Sequence, residues 1–463
     1  MSNSTDSAAS QGSPQSPHLL RRLSLLQGTA LNMIDMVGIG PFVVLPLVIQ
    51  LMGGPNFIWA WILGAVVSFI DAFIWSELGA AYPQAGGSYR FLKIAYGEER
   101  WGKLFSFLYV WQTLIQAPLV VASGSIGFAQ YASYLFPLDE WSGKAVSGTV
   151  VIIVTMLIYR RIDSIGRISL VLWVAVMLTI GWIIVGGLTN ATVSFSDVLG
   201  QAMHLDGNLL SAGLGASSVK TIYCFLGYYN VCHLGGEMKN PERNIPLSIF
   251  ISIAGITLLY MLLNLSVVSV VPWQEAQKST FIVSTVIEAI YGAKAAGVAT
   301  GLVLIVAFSS LFAVMLGYSR VPYAAAVDGQ FFKIFAKLHP TRHFPYVSVL
   351  FLGGVAFGFS LLFRLSDVIT AILAMRIVVQ FIGQAIGLWL LHRRKATSHF
   401  PFRMPLYPLP VILAIAVWSY IFISTGWSFM VSGLTVIALG VVAFLLTANI
   451  RKQWPFAPKQ NRL

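Results

Sequence analysis

Three ionisable residues stand inside long apolar runs of the sequence: Asp35, Asp71 and Arg376. A charge in hydrocarbon is costly, so each marks an ion path, a proton path or an ion pair by default. Asp35 lies about eight residues into the first run, and Asp71 about ten residues from the inner end of the second. The two runs are antiparallel, so the carboxylates can share one depth. The chemistry expected is that one of them carries a coupling proton or pairs with Arg376; the competing role is a structural ion pair. Glu77, Glu237, Arg320 and Asp328 fall near the inner ends of runs and are expected to anchor loops. Gln112 and Gln116, one turn apart in the third run, suit either a ligand or an interhelical hydrogen bond. Of the seven histidines, His18, His204, His339, His343, His392 and His399 fall in tails or loops, and His233 stands alone in a run. No catalytic cluster, metal spacing or cofactor motif is present, so neither an enzyme nor a cofactor is expected. Cys224 and Cys232 share one apolar run, which excludes a disulfide framework.

Backbone groups offer a second kind of chemistry. In a membrane, non-helical backbone is tolerated where it lines a cavity, and its freed amides and carbonyls can then hold a ligand. Gly38-Ile39-Gly40-Pro41 interrupts the first run: Pro41 lacks an amide hydrogen and clashes with the preceding turn, and the glycines ease non-helical dihedrals. Phe225-Leu226-Gly227-Tyr228-Tyr229-Asn230 interrupts the sixth, resting on Gly227 alone. Each glycine could instead serve close helix packing. The two breaks open two successive groups of five runs, the sequence pointer to a site in an inverted repeat.

The elements that must position these groups follow from composition. Of 463 residues 57% are hydrophobic and 10% charged, against about 25% charged in soluble domains. So much apolar surface needs lipid as its solvent. The net charge of +12 does not signal nucleic acid, because the cations cluster in short segments between apolar runs. A span needs about 20 apolar residues. Twelve runs qualify, near 27–51, 57–81, 103–135, 145–160, 165–188, 211–236, 246–271, 294–323, 346–363, 367–391, 407–424 and 427–449. The third and eighth are long enough to tilt; the fourth is short. Of 29 Lys and Arg, 23 fall on the side holding both termini, among them Arg160, Arg161 and Arg393. Five fall opposite: Lys144, Lys220, Lys278, Lys294 and Arg364. By the positive-inside rule both termini are cytoplasmic, in a multi-pass cell-membrane protein with an even number of crossings. The expected layout is a disordered tail over 1–20, five-helix groups over 21–188 and 211–391, two further helices over 407–449, and a tail over 450–463. Residues 1–18 lack the basic start and apolar core of a signal peptide.

Four motifs in order carry a family resemblance: Gly38-Ile39-Gly40-Pro41-Phe42; Glu77-Leu78-Gly79 with Tyr82-Pro83 and Ala85-Gly86-Gly87-Ser88-Tyr89; Phe225 and Gly227 followed by Glu237-Met238-Lys239-Asn240-Pro241, Arg243 and Ile245-Pro246; and Ser319-Arg320, Ala324 and Asp328-Gly329. Together they resemble the amino acid-polyamine-organocation superfamily over about residues 27–449. The resemblance implies an all-α polytopic membrane fold of twelve helices: a LeuT-like five-plus-five inverted repeat, helices one and six broken, with two C-terminal helices added. It implies secondary active transport of a small-molecule amino acid across the lipid bilayer, by a monomer or homo-oligomer, with no nucleic acid partner. The substrate carboxylate would meet amides at the first break, Gly38 to Pro41, where Pro41 itself offers none. Its ammonium would meet carbonyls near that break and at Phe225 to Gly227, with Phe225 as outer gate; the substrate-binding residues implied are Val37, Gly38, Ile39, Gly40, Phe225, Leu226, Gly227 and Tyr228.

Departures from the family pattern bear on coupling and cargo. Ser309 and Ser310 resemble the hydroxyl pair of a sodium site, though a helical serine commonly bonds back to the preceding turn. The fifth run has no lysine where some members carry one. Tyr229 stands where some members place an acid, which disfavours cationic or polyamine substrates and favours neutral amino acids. Proton symport and exchange both stay open, as does a non-transporting amino acid sensor. A channel would need a charged ring or pore symmetry, and neither is evident.

Overall fold

The computed structural model describes residues 21–159, 162–203, 212–363 and 365–456. The expected tail over 1–20, most of that over 450–463, the cations Arg160, Arg161 and Arg364, and His18 and His204 lie outside the described residues. Every one of the twelve apolar runs carries a helix. The first carries α1 (Leu25–Val37) and α2 (Gly40–Met52), and the second α3 (Ile58–Ala81). A short α4 (Ser88–Ala95) leads into α5 (Trp101–Leu135), α6 (Glu140–Ile158) and α7 (Ile162–Thr189). After α8 (Phe195–Met203) come α9 (Ala212–Phe225) and α10 (Asn230–His233), then α11 (Pro241–Val270). The small α12 (Trp273–Ala276) and α13 (Ile282–Tyr291) precede α14 (Ala293–Tyr318) and α15 (Arg320–Val327). Last come α16 (Tyr346–Leu362), α17 (Leu365–Arg376), α18 (Gly383–Arg393), α19 (Leu409–Ser424) and α20 (Trp427–Ile450).

Among the described residues eight helices are long and apolar enough to cross a membrane, and the bent pair α1–α2 makes nine. The other three expected spans are held by shorter helices: α9, cut off by its break, α16 with 17 residues and α19 with 16. Length and composition alone therefore support nine crossings rather than the expected twelve. The lipid-facing sides read from exposure. Val171 and Leu178 on α7, Leu439 and Leu446 on α20, and Leu258 on α11 are apolar and more than half exposed, a pattern that is stable only against hydrocarbon.

Several local rules set the helix ends that matter for the site. Ser24 starts α1 with a capping box: its hydroxyl accepts from the Gln27 amide at 3.3 Å, and Gln27 Oε1 accepts from the Ser24 amide at 2.9 Å, an arrangement worth about 1 kcal/mol. The break expected between Gly38 and Pro41 is present, with α1 and α2 bent by 42°. The break expected at Gly227 is also present. The sequence gives no sign of a third irregularity, a π-helical stretch over Ile377–Ile382 between α17 and α18.

The two ends of the described chain are tied to loops. The amides of Arg22 and Leu23 donate to Glu237 O at 2.9 Å, and the Lys239 amide donates to Leu23 O at 2.9 Å, so Leu23 and Met238 form a single parallel β-bridge. Near the other end Arg451 Nη1 donates to Gly329 O at 3.2 Å. The four residues expected to anchor loops all do so here. Arg320 Nε and Nη2 reach the two Glu237 oxygens at 2.7 and 3.2 Å, both side chains fully buried. Glu77 meets His392 Nε2 at 2.7 Å and accepts from the Met404 amide at 2.9 Å. Asp328 gathers Tyr89, Arg90 and Lys93 at 3.2, 3.0 and 2.7 Å.

Replacing Arg320 by Met leaves the Glu237 carboxylate buried without its cation, a loss of about 3–5 kcal/mol. The thermal unfolding midpoint of the purified protein should fall clearly, and the double variant Arg320→Met with Glu237→Leu should recover part of the loss.

Candidate functional site

The two breaks meet at the centre of the bundle. Gly38 adopts φ +39°, and a Cβ there would come within 2.8 Å of Ser310 Oγ. Gly227 adopts φ +122°, and a Cβ there would come within 2.7 Å of Asp35 Cγ. Both positions need glycine for backbone angle and for space. Each break strands carbonyls of the preceding helix. Ser310 Oγ donates to Asp35 O at 3.2 Å, and Tyr260 OH donates to Met36 O at 2.7 Å while lying 3.0 Å from Cys224 O. Beyond the second break, the Val231 amide at the start of α10 donates to Asn32 Oδ1 at 2.9 Å. Asn230 Nδ2 donates to Ala313 O at 2.9 Å. Among the described residues, the amides of Gly38, Ile39 and Gly40 donate to no backbone carbonyl.

A small cavity of about 40 Å³ lies at this junction. Backbone from Asp35 through Gly40 lines one side, Leu226 and Gly227 another, and Tyr223, Tyr229, Tyr318, Ser310 and Arg376 contribute side chains. The carbonyl end of α1 and the amide end of α2 both border it. These carry opposite partial charges, so the cavity suits a ligand with an anionic and a cationic end. Arg376 is buried, with Nε donating to Gln380 Oε1 at 3.0 Å and Nη2 donating to the hydroxyls of Tyr229 and Tyr318. Its guanidinium also sits over the Tyr229 ring at 5.2 Å. The π-helical stretch follows directly after Arg376, and Gln112 Nε2 donates to Met375 O at 2.6 Å just before it.

The structure brings together most of the expected site residues and separates some. Val37, Gly38, Ile39, Gly40, Leu226 and Gly227 line the cavity, with Asp35, Ser310 and Arg376 beside them. Phe225 and Tyr228 do not. Phe225 is fully buried and packs edge-on against Trp61 and Tyr260, with ring centroids 6.4 and 5.2 Å apart. It does not stand over the cavity as the expected gate. Helical geometry explains this: Tyr223 lines the cavity from α9, and position 225, two residues on and about 200° further round the helix, points nearly opposite. Tyr223 holds the place expected for Phe225, its hydroxyl 2.9 Å from Ser123 Oγ. Tyr228 instead donates to Asp71 Oδ2 at 2.5 Å.

Asp71 lies apart from the cavity in a cage of donors. Trp75 Nε1 reaches Oδ2 at 2.7 Å and Trp418 Nε1 reaches Oδ1 at 3.3 Å. It therefore ties α3, the second break and α19 together. Ser309 is also turned away, donating to Ile305 O at 2.6 Å. No carboxylate forms an ion pair with Arg376 among the described residues. Gln112 serves an interhelical bond, and Gln116 does not border the cavity. Of the three cavity tyrosines, Tyr229 was read as a pocket position from sequence, and Tyr223 and Tyr318 were missed. The i, i+4 spacing of Tyr223 from Gly227 could have found one of them.

With this geometry in place, comparison with known proteins is decisive on family. The amino acid permease family matches residues 23–455. This chain belongs to the amino acid permease family. A serine/threonine exchanger, SteT, of Bacillus subtilis (strain 168) is 23% identical over 86% of this chain and 89% of its own length. The human cystine/glutamate transporter is 26% identical over 89% and 83%. A methylthioribose transporter of Bacillus subtilis (strain 168) is 22% identical over 93% and 94%. As a permease with many apolar spanning helices, the chain is a multi-pass membrane protein.

Gly227→Ala should lower stability by about 1–3 kcal/mol through its positive φ, with a further clash against Asp35. Gly181→Ala, where a Cβ would meet nothing within 4 Å, is the control. Thermal unfolding of both variants checks the difference.

Proposed function

We propose that this permease is a secondary active transporter that moves amino acids by alternating access, with neutral amino acids as the favoured cargo and proton symport or exchange as the mode. The observation that carries this reading is the pair of opposed helix ends at the first break. The free amides of Gly38 to Gly40 suit the cargo carboxylate. The carbonyls at Asp35 to Val37 and at Leu226–Gly227 suit its ammonium. Tyr223 takes the gating role first assigned to Phe225. The relatives named serine/threonine exchanger and cystine/glutamate transporter support an amino acid cargo and exchange; the methylthioribose transporter is a relative with another cargo. The human cationic amino acid transporter 4, 26% identical over 82% of this chain, keeps cationic cargo as the alternative. Two features of the cavity weigh against that alternative. Arg376 repels a cationic side chain, and Tyr229, a phenol, stands where a carboxylate would neutralise one. In this reading all twelve runs cross, and both termini are cytoplasmic.

Asp35 is the better proton carrier of the two carboxylates, because it borders the cavity while three donors hold Asp71. Ser310 contributes through the Asp35 carbonyl.

Uptake into liposomes containing the purified protein tests the proposal. Saturable uptake of labelled neutral amino acids is expected, driven by internal amino acid for exchange or by a pH gradient for symport. No uptake of any amino acid would instead favour a sensor. Arg376→Gln should weaken cargo binding about tenfold or more, the scale of a lost hydrogen bond to a charged group. Asp35→Asn should flatten the pH dependence of uptake and Asp71→Asn should keep it; an unchanged profile in both removes the proton role.

A further inference from the structure

Away from the cavity, a groove beside the Leu23–Met238 bridge is lined by Arg21, Lys239, Asn240, Pro241, Glu242 and Arg243. Three cations face one carboxylate there, and all four charged side chains are exposed. Arg21, Lys239 and Arg243 form no ion pair among the described residues. Their spacing is fixed by backbone. The Leu23–Met238 bridge holds the segment bearing Arg21 beside the one bearing Lys239, and Arg243 lies in the first turn of α11, whose axis begins with Pro241. The α11 amides at that end add positive potential to the groove.

A second feature says what kind of anion fits. Arg243 begins a stripe along α11 that continues through Leu247, Ile251, Ala254 and Leu258 at helical spacing. Leu247, Ile251 and Leu258 are 36, 48 and 61% exposed. The stripe is an apolar, lipid-facing track that ends in the basic groove. A free anion would use the groove alone. A phospholipid would use both parts, with its phosphate on the cations and an acyl chain along Leu247, Ile251 and Leu258.

We propose that this groove binds the phosphate-bearing headgroup of an anionic phospholipid, with the α11 stripe seating its chain. A headgroup held by Arg21, Lys239 and Arg243 fastens the start of α1 to the inner end of the sixth span through the Leu23–Met238 bridge. It thereby favours the arrangement in which those two elements stay together. The inference rests on the membrane setting and is independent of the proposed cargo.

The test uses the full-length protein in detergent and reads thermal unfolding and direct lipid binding, neither of which requires transport. The probes are short-chain phosphatidylglycerol, short-chain phosphatidylcholine and inorganic phosphate. Phosphatidylglycerol should raise the unfolding midpoint, while phosphatidylcholine and inorganic phosphate should have little effect. Each cation near an anionic lipid surface contributes about 1 kcal/mol, so each single replacement, Arg21→Gln, Lys239→Gln or Arg243→Gln, should weaken phosphatidylglycerol binding about fivefold. The triple variant should lose the midpoint shift. Lys144→Gln, on α6 and outside the groove, should keep it. An equal shift from phosphatidylcholine, or a triple variant that binds as the parent does, overturns the proposal. An equal shift from inorganic phosphate overturns the lipid assignment, since the apolar stripe would then contribute nothing.

Discussion

Everything at the centre of this molecule depends on how stranded peptide groups are satisfied where water does not reach. Two helices stop and restart inside the bundle, and each stop strands carbonyls. An unmet buried acceptor costs about 1–3 kcal/mol, so the breaks persist because specific side chains answer them. Tyr260, from α11, donates its one hydroxyl proton at the end of α1, 2.7 Å from Met36 O, and lies 3.0 Å from Cys224 O at the end of α9. Ser310 and Asn32 answer the neighbouring groups. The amides from Gly38 to Gly40 have no such backbone answer among the described residues, and they border the cavity. The structure divides along that line: the groups met by side chains hold the breaks in place, and the amides left without a backbone partner are those beside the cavity.

The charges follow the same division. Asp71 is surrounded by three donors and acts as a knot between helices. Glu237 with Arg320, and Glu77 with His392, close the inner ends of spans. Asp35 and Arg376 are different, because both border the cavity and neither forms an ion pair among the described residues. Arg376 is held by phenols and an amide rather than by a carboxylate, an arrangement that keeps its charge uncompensated in the site.

Much of this was legible in the sequence. Apolar run length finds a helix in each of the twelve runs, since lipid imposes one strong rule on composition, but it leaves out the short α4, α8, α12 and α13. Gly38 and Gly227 announce the breaks because no other residue adopts those angles in that space. What failed was direction. Phe225 is the last residue of α9 and turns to the side opposite Tyr223, and in an apolar run both positions read alike. Tyr223 and Tyr318 carry no sign of their own, as a buried tyrosine in an apolar run reads as core. The π-helical stretch after Arg376 has no glycine or proline to mark it, and it arises from packing that sequence spacing does not display. The crossing count was the least secure number, since α16 and α19 are shorter than the hydrocarbon is thick.

The contact between the two breaks has one more consequence. Gly227 rests against the carboxylate carbons of Asp35, and Gly38 rests against Ser310. Each glycine thus sits where another segment approaches too closely for a Cβ. A side chain at either glycine would therefore press on a helix that carries part of the cavity wall, so each break is shaped by the segment it touches.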